Sequence, residues 1–429
     1  MASTGSNSSV VTPETASTTR VDIVIGLTSH NDAATVGSVA SALREGLTRH
    51  FAGDASRFVL ADSGSTDDTP ARARDSLKGI DGLVEVPAAP TTTDRLESPY
   101  HRIPGKARAL RGILTTAQNL GARACVVIDA GIETVTPQWL QWLATPVLTH
   151  DFDLVAPFYR RHPYEGALTK GIVYPMFRAL YGVRLRQPAA GEFACSSRLL
   201  DRLLEEDLWD RDGAQIGIDL WLASSAVSRD FRIGEAALGV RNQHAHGDEP
   251  LDLGTTLTQV VGSLFADVEK RVEQWQRVRG SVPVQQFGEL SMGTPLQSVS
   301  IDHEKLIESF RLGYRELRDI WTWVLPPRTI LDLRRLIDGP AAGFRLDDGL
   351  WARIIYDFAL GYRLRALPRE HVLRSLVPLY LAWFASFVLE VRDRGDNEVE
   401  RRLDQLGAAF ETQKPYLISK WRWPERLRT

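Results

Sequence analysis

Cysteine, lysine and methionine are all scarce in this chain. Of its 429 residues two are Cys and three are Met, and seven of the 51 basic residues are Lys. Two cysteines, Cys125 and Cys195, cannot build a disulfide framework. Both sit in apolar runs and read as buried thiols in a reducing compartment. Charge of one sign is also missing. The 51 basic and 54 acidic residues leave a net charge of -3, so no global field draws the chain to nucleic acid. No apolar run reaches the roughly 20 residues that a spanning helix needs. The most apolar stretch, LVPLYLAWFASFVL at residues 376–389, contains Pro378 and is flanked by Arg374 and Glu390. It reads as a core or subunit-interface helix. The first 19 residues, about half Ser and Thr, lack the basic and then apolar order of a secretory signal. They read as a disordered tail, and a soluble cytoplasmic protein is expected.

What is present suffices for folding. The chain is 43% hydrophobic and 24% charged, which excludes global disorder. Its length suits two domains. In the N-terminal half, strand-like runs at 21–27, 57–61, 83–86 and 124–128 alternate with helical spacing at 33–47, 69–77 and 106–120. Such alternation predicts an α/β domain with a mainly parallel sheet, whose ligands bind beyond the carboxyl ends of the strands. From about Asp302 helical periodicity dominates, strongest at 350–364 and 371–391. The expected organisation is a tail at 1–19, an α/β domain at 20–280, a linker at 281–301 and an α-helical region at 302–429.

Several loops could carry chemistry. DSGSTDDT at 62–69 follows a strand and opens a helix, so Ser65 or Thr66 can cap it while Asp67 and Asp68 suit its first turn. Asp62 at the strand tip is placed to meet a nucleotide. Gly105-Lys106 begins a helix whose Lys can reach a diphosphate. Asp129-Ala130-Gly131 ends the best strand, where a carboxylate can hold a divalent cation. His244 and His246 could each supply an imidazole. Asp219 lies inside an apolar helical run and needs either a partner or a contact with substrate. Arg353 and Asp357 read as a surface ion pair.

Taken in order, DSGSTDDT, Gly105-Lys106, FYRR at 158–161, QPAAGEFA at 187–194, LGVR at 238–241, PLDLG at 250–254 and QVV at 259–261 resemble one group of enzymes. These are the retaining GT-A glycosyltransferases that make glucosyl-3-phosphoglycerate, glucosylglycerate and mannosylglycerate. The likeness covers a little over half the chain. It implies a Rossmann-like GT-A nucleotide-sugar domain followed by a mainly α-helical region. It implies base contacts by Thr28, Ser29 and Asp32, with Ser63 at the nucleoside and Lys106 at the departing diphosphate. Asp129 and Ala130 open the metal motif DxD, and His244 is the implied histidine ligand of Mg2+ or Mn2+. Gly191 and Glu192 line the sugar pocket, and Thr169, Asp219 and His246 meet the acceptor.

The chain departs from the pattern in two places that bear on function. Gly131 stands where the second Asp of DxD falls, so the ion is held by fewer groups, or is needed less, or activity is impaired. Ala167 stands where the phosphoglycerate enzymes have an Arg, and losing one charge-assisted contact costs about 1.5–3 kcal/mol. That favours transfer of a hexose, expected to be glucose, from a nucleoside diphosphate to the 2-hydroxyl of D-glycerate. Alternatives are 3-phosphoglycerate as acceptor, mannosylglycerate synthesis, a lipid-linked acceptor, or a non-catalytic nucleotide-sugar binder. A homodimer is expected, and no nucleic-acid partner.

Overall fold

The computed structural model describes residues 20–79, 83–91, 94, 99–210, 213–242, 252–289, 300–365 and 367–424. The N-terminal tail lies outside them, as do His244 and His246 and residues 290–299 of the linker. The chain opens with β1 (Ile23–Ser29), α1 (Val36–His50), β2 (Ser56–Asp62), α2 (Thr69–Ser76) and β3 (Leu83–Glu85). There follow α3 (Lys106–Asn119), β4 (Ala124–Asp129), α4 (Pro137–Thr149) and β5 (Leu154–Arg160). A π-helical turn at Thr169–Val173 leads into α5 (Tyr174–Tyr181), then β6 (Phe193–Ser196), α6 (Ser197–Glu205), α7 (Ala214–Val227), β7 (Ile233–Val240), α8 (Leu253–Lys270) and β8 (Gln285–Phe287).

The eight strands form one sheet in the order β3-β2-β1-β4-β6-β5-β7-β8. Neighbours run parallel except where β6 lies antiparallel to β4 and β5. β1 is buried along its whole length, as a strand covered on both faces must be. Its side chains alternate: Ile23, Ile25 and Leu27 join the core under α1 and α4, while Val24 joins the core on the opposite face. Gly26 leaves room there for Ile113 of α3, which its Cβ would strike. The chain builds β2 and β3 on one side of β1 and β4 on the other. That reversal opens a crevice at the carboxyl ends of β1 and β4. The ends of β2, β5 and β7 and the start of β6 lie along the same edge.

The C-terminal region is helical: α9 (His303–Val324), α10 (Pro327–Asp338), α11 (Asp348–Leu364), α12 (Arg369–Ser375), α13 (Val377–Val391) and α14 (Asp396–Arg422). The periodicity at 371–391 predicts one helix, but two form and meet at Leu376. Pro378 explains the break, because its ring and missing N–H suit only the first turn of a new helix. The segment Arg369–Val391 is long and apolar enough to cross a membrane by length and composition, and 67% of its most apolar window is buried inside the molecule. It packs as a scaffold within the core that also holds Phe177, Trp351 and Phe410.

This helical region is bolted to the sheet domain through the π-turn and α5. Trp351 Nε1 donates to Gly171 O at 2.8 Å. Arg178, 2% exposed, pairs with Asp404 at 2.6 Å and Glu411 at 3.0 Å. Lys414 Nζ donates to Ala179 O at 2.8 Å and Val278 O at 2.9 Å. The spacing of Arg353 and Asp357 predicts a pair on the surface, but Asp357 is buried. It accepts from Tyr416 Oη at 2.7 Å and Lys420 Nζ at 3.3 Å, and is pushed up to about 6 by that burial. β8 falls in the stretch read as a linker and pairs with β7 at the edge of the sheet.

Candidate active site

The loops after β1 and β2 are tied together by short polar side chains. Asp62 accepts from Ser29 Oγ at 2.8 Å, from Ser65 N at 2.9 Å and from Ser65 Oγ at 2.6 Å. Asn31, at φ +57°, donates its N–H to Ser65 Oγ and accepts from Thr66 N, each at 2.8 Å. Ser65 and Thr66 therefore join two loops and do not cap α2. Asp67 serves that helix instead, accepting from Thr69 N at 3.0 Å. Thr28 Oγ1 and Ser63 Oγ are buried without a hydrogen-bond partner. At the tips of neighbouring strands, two such hydroxyls are open to a ligand.

Asp129 at the end of β4 accepts from Gly131 N at 2.9 Å. Asp32 is 2% exposed and accepts from His30 N at 2.8 Å. Burial first, and then the charge of Asp129, raise Asp32 to about 8. Burial also raises Asp129, against the pull of Arg241 and Lys106. Ala130 is buried, and its carbonyl accepts from Thr35 Oγ1 at 2.7 Å.

Behind these tips lies a buried ionic cluster. The side chains of Lys106 and Asp219, 3% and 2% exposed, meet at 2.8 Å. Helix α3 places the Lys in its first turn, after Gly105 at φ +68°. Its first turn and the loop before it are held by α7 and α8: Ala107 N donates to Gln215 Oε1 at 3.0 Å and Tyr100 N to Gln259 Oε1 at 2.7 Å. Gly191 is required by this pair, because a Cβ there would strike Lys106 Nζ. Burial raises Asp219, and Lys106 offsets that only in part. Asp219 Oδ2 takes the Lys, while Oδ1 is buried and accepts nothing. Arg241 Nη2 reaches Glu192 Oε1 at 3.1 Å and Asp129 Oδ2 at 3.9 Å. Burial alone would raise Glu192, but Arg241 and Lys106 hold it below the ordinary carboxylate range. Tyr159 Oη donates to Glu192 Oε2 at 2.8 Å.

On the far side of Tyr159 opens a cavity of about 640 Å3. Thr169 and Gly166 line it together with Arg160, Arg161, Lys170 and the first turns of α14. Arg161 Nη1 lies 3.3 Å from where a Cβ on Gly166 would stand. Lys170 Nζ donates to His162 O at 2.9 Å and Pro163 O at 3.0 Å, and burial lowers it to about 8. Ala167 is 7% exposed, packs in the core and does not line the cavity.

The structure thus gathers Thr28, Ser29, Asp32, Asp62, Ser63, Asp129 and Ala130 at one sheet edge, and joins Lys106, Asp219, Gly191 and Glu192 in one buried cluster. Thr169 stands apart from that cluster, across Tyr159. Glu133, near Gly131 in sequence, is exposed on a turn whose N–H donates to Asn242 O at 2.9 Å. Among the described residues no three His, Cys, Asp or Glu side chains converge as a metal site. Sequence reasoning assigned no role to Arg241 or Tyr159. Both lie within motifs it quoted, LGVR and FYRR, and a charged or phenolic group at a strand tip was the signal to follow.

The mixed sheet with its crevice at the tips of β1 and β4 places the fold in the Rossmann-like GT-A class. No family model matches the chain. Glucosyl-3-phosphoglycerate synthase of Mycobacterium tuberculosis is 32% identical to it over 270 residues, which cover 57% of this chain and 72% of that protein. The Mycolicibacterium paratuberculosis enzyme of the same name is 30% identical over 253 residues, covering 54% and 68%. A crystal structure of the M. tuberculosis synthase with Mn2+, uridine diphosphate and glucosyl-3-phosphoglycerate overlays with a TM-score of 0.43 at 27% identity, covering 57% of this chain and 79% of that one. The chain belongs to the glucosyl-3-phosphoglycerate synthase family of GT-A glycosyltransferases.

Proposed function

We propose that this chain is a retaining glucosyltransferase that moves glucose from uridine diphosphate glucose to the 2-hydroxyl of 3-phospho-D-glycerate. The observation that carries the reading is the Lys106–Asp219 pair, with Asp219 Oδ1 buried and unpartnered at the carboxyl edge of the sheet. A sealed carboxylate oxygen of that kind is open to a hydrogen-bond donor such as a ligand hydroxyl. The relatives are named for the same product, glucosyl-3-phosphoglycerate.

In this reading the uridine and ribose lie over the β1 and β2 tips, against Thr28, Ser29, Asp62 and Ser63. The bond from C1 of glucose to the diphosphate breaks, and its electron pair stays on the phosphate oxygen. Lys106 stabilises that growing charge. The acceptor 2-hydroxyl oxygen bonds to C1 on the same face, and its proton passes to the leaving phosphate. Asp219 Oδ1 holds a hydroxyl of the sugar or acceptor, and Gly191 and Glu192 line the sugar's side. Retention is carried by the family resemblance.

A divalent cation, when bound, neutralises charge on a diphosphate. Asp129 is the carboxylate best placed to hold it, and the Asp32 and Asp129 oxygens beside Gly131 have the chemistry such an ion takes. His244, outside the described residues, is the remaining expected ligand. The cavity beyond Tyr159 takes the acceptor. Arg160, Arg161 and Lys170 on its wall supply donors for a phosphorylated acid, beside the carboxylates Glu165, Asp396 and Glu400. Ala167 favours a second reading, free D-glycerate, because it brings no Arg to the acceptor turn. The reading includes a cytoplasmic enzyme, supported by two buried free thiols. It also includes a homodimer, supported by Leu312, Trp323 and Leu331, which stand exposed on α9 and α10.

The test incubates purified protein with uridine diphosphate glucose and either 3-phosphoglycerate or D-glycerate, in Mg2+, Mn2+ or EDTA, and reads products by mass and NMR. Glucosyl-3-phosphoglycerate of α configuration is expected. Product from free glycerate alone selects the second reading, and no product with either acceptor refutes both.

A further inference from the structure

Gly131 removes a carboxylate from the place where the family's metal motif has its second Asp, and the structure shows what occupies the space. A Cβ built on Gly131 would stand 2.7 Å from Asp32 Oδ1 and 3.3 Å from Asp129 Oδ1. The Asp32 carboxylate fills the volume that any side chain at position 131 would need. It is delivered from β1, not from β4, by a turn in which Asn31 adopts φ +57° and His30 N holds Asp32 Oδ2 at 2.8 Å. Both carboxylates are nearly sealed, at 2% and 4% exposure. Two like charges side by side in a buried place are unfavourable unless a proton or a cation lies between them.

We infer that Asp32 supplies the second carboxylate of the divalent-cation site, replacing the residue lost at Gly131. The inference rests on the proposed glucosyltransferase reading. It takes Asp32 away from the base contact that the family resemblance implies. The ligand class is a hard dication held by Asp32, Asp129 and diphosphate oxygens. Mg2+ and Mn2+ accept such a set, since one or two carboxylates plus substrate phosphates suffice for them. A cation held this way binds the nucleotide complex better than the bare protein. A carboxylate side chain at position 131 would require the Asp32 side chain to move from where it stands.

The test reads Mn2+ binding by electron paramagnetic resonance, with and without uridine diphosphate, and nucleotide affinity in EDTA by calorimetry. Asp32→Asn keeps the shape and removes the charge. It is expected to weaken Mn2+ in the nucleotide complex by about tenfold or more, and to change nucleotide affinity in EDTA by less than about twofold, well under the 1.4 kcal/mol of a tenfold change. The double variant Asp32→Ala with Gly131→Asp moves the carboxylate back to β4. Gly131 has no left-handed φ, and the atoms that block its Cβ most closely are those of Asp32. This variant is expected to recover most of the Mn2+ affinity. Unchanged Mn2+ binding in Asp32→Asn overturns the inference. So does an equal loss of nucleotide affinity in EDTA, which would make Asp32 a base contact. Wild-type protein that binds no uridine diphosphate under any condition overturns the glucosyltransferase reading itself.

Discussion

Lys106 Nζ donates to Asp219 Oδ2 across 2.8 Å, and neither side chain reaches solvent. The two residues are 113 positions apart. A buried pair of this kind contributes little to stability compared with apolar side chains of similar size, while breaking it by removing one partner is costly. The pair therefore argues for function. The Lys is held at the head of α3 with its charge balanced, and one oxygen of the Asp is left for a ligand.

Asp219→Asn preserves size and removes the charge that opposes Lys106. Turnover with saturating acceptor is expected to fall by roughly 10²–10³-fold, the scale of one lost electrostatic contact in a transition state. Circular dichroism and thermal melting check that the fold persists. Unchanged turnover excludes Asp219 from the reacting centre.

Ser63 Oγ is sealed and has no partner. Removing an unsatisfied buried hydroxyl relieves a penalty in the ligand-free protein. Ser63→Ala is expected to keep or slightly raise the melting temperature, yet to weaken uridine diphosphate by up to about tenfold, the worth of one neutral hydrogen bond. A drop in both quantities would mean that the hydroxyl is structural.

Lys170 carries its charge below about 8 and loses it above. The phosphate of the proposed acceptor is already doubly ionised there, since its second pKa is about 6. The acceptor KM is therefore expected to rise, by about tenfold at most, as pH climbs through 8. Steady-state kinetics across pH 6.5–9.5, on the order of 1.5 units either side of that value, give the measurement. Lys170→Met should flatten the profile, and a rise that persists in this variant points to another group.

Gly171 lies against the Trp383 ring, and its carbonyl accepts from Trp351 Nε1. A Cβ there would strike Trp383. Gly171→Ala is expected to cost about 1–3 kcal/mol by overpacking. It should raise the acceptor KM more than the donor KM, because Thr169 and Lys170 share the same turn. Denaturant titration and the ratio of the two KM values measure both effects. An equal change in both KM values would separate the helical region from acceptor binding.

Much of the strand and helix pattern was legible from periodicity alone. β1, β2 and β4 fall within two residues of the expected runs, because a strand buried on both faces writes a continuous apolar signal. The break between α12 and α13 was less legible, although Pro378 marks it, because apolar periodicity runs through the proline. Asp357 was misread because charge at helical spacing looks the same on a solvent face as on one later covered by Tyr416 and Lys420 of α14.

The sequence by itself determined the α/β class, the order of the motifs and the loops that gather at one sheet edge. These follow from local pattern, since parallel strands send all their carboxyl ends to one side. Only the tertiary structure decided that Lys106 meets Asp219, that Asp32 enters the space beside Gly131, and that Arg160, Arg161 and Lys170 share a cavity under α14. The first two depend on residues far apart in the chain, and the third on α14 closing over the cavity; helix and strand packing sets each of them, and no local spacing encodes it.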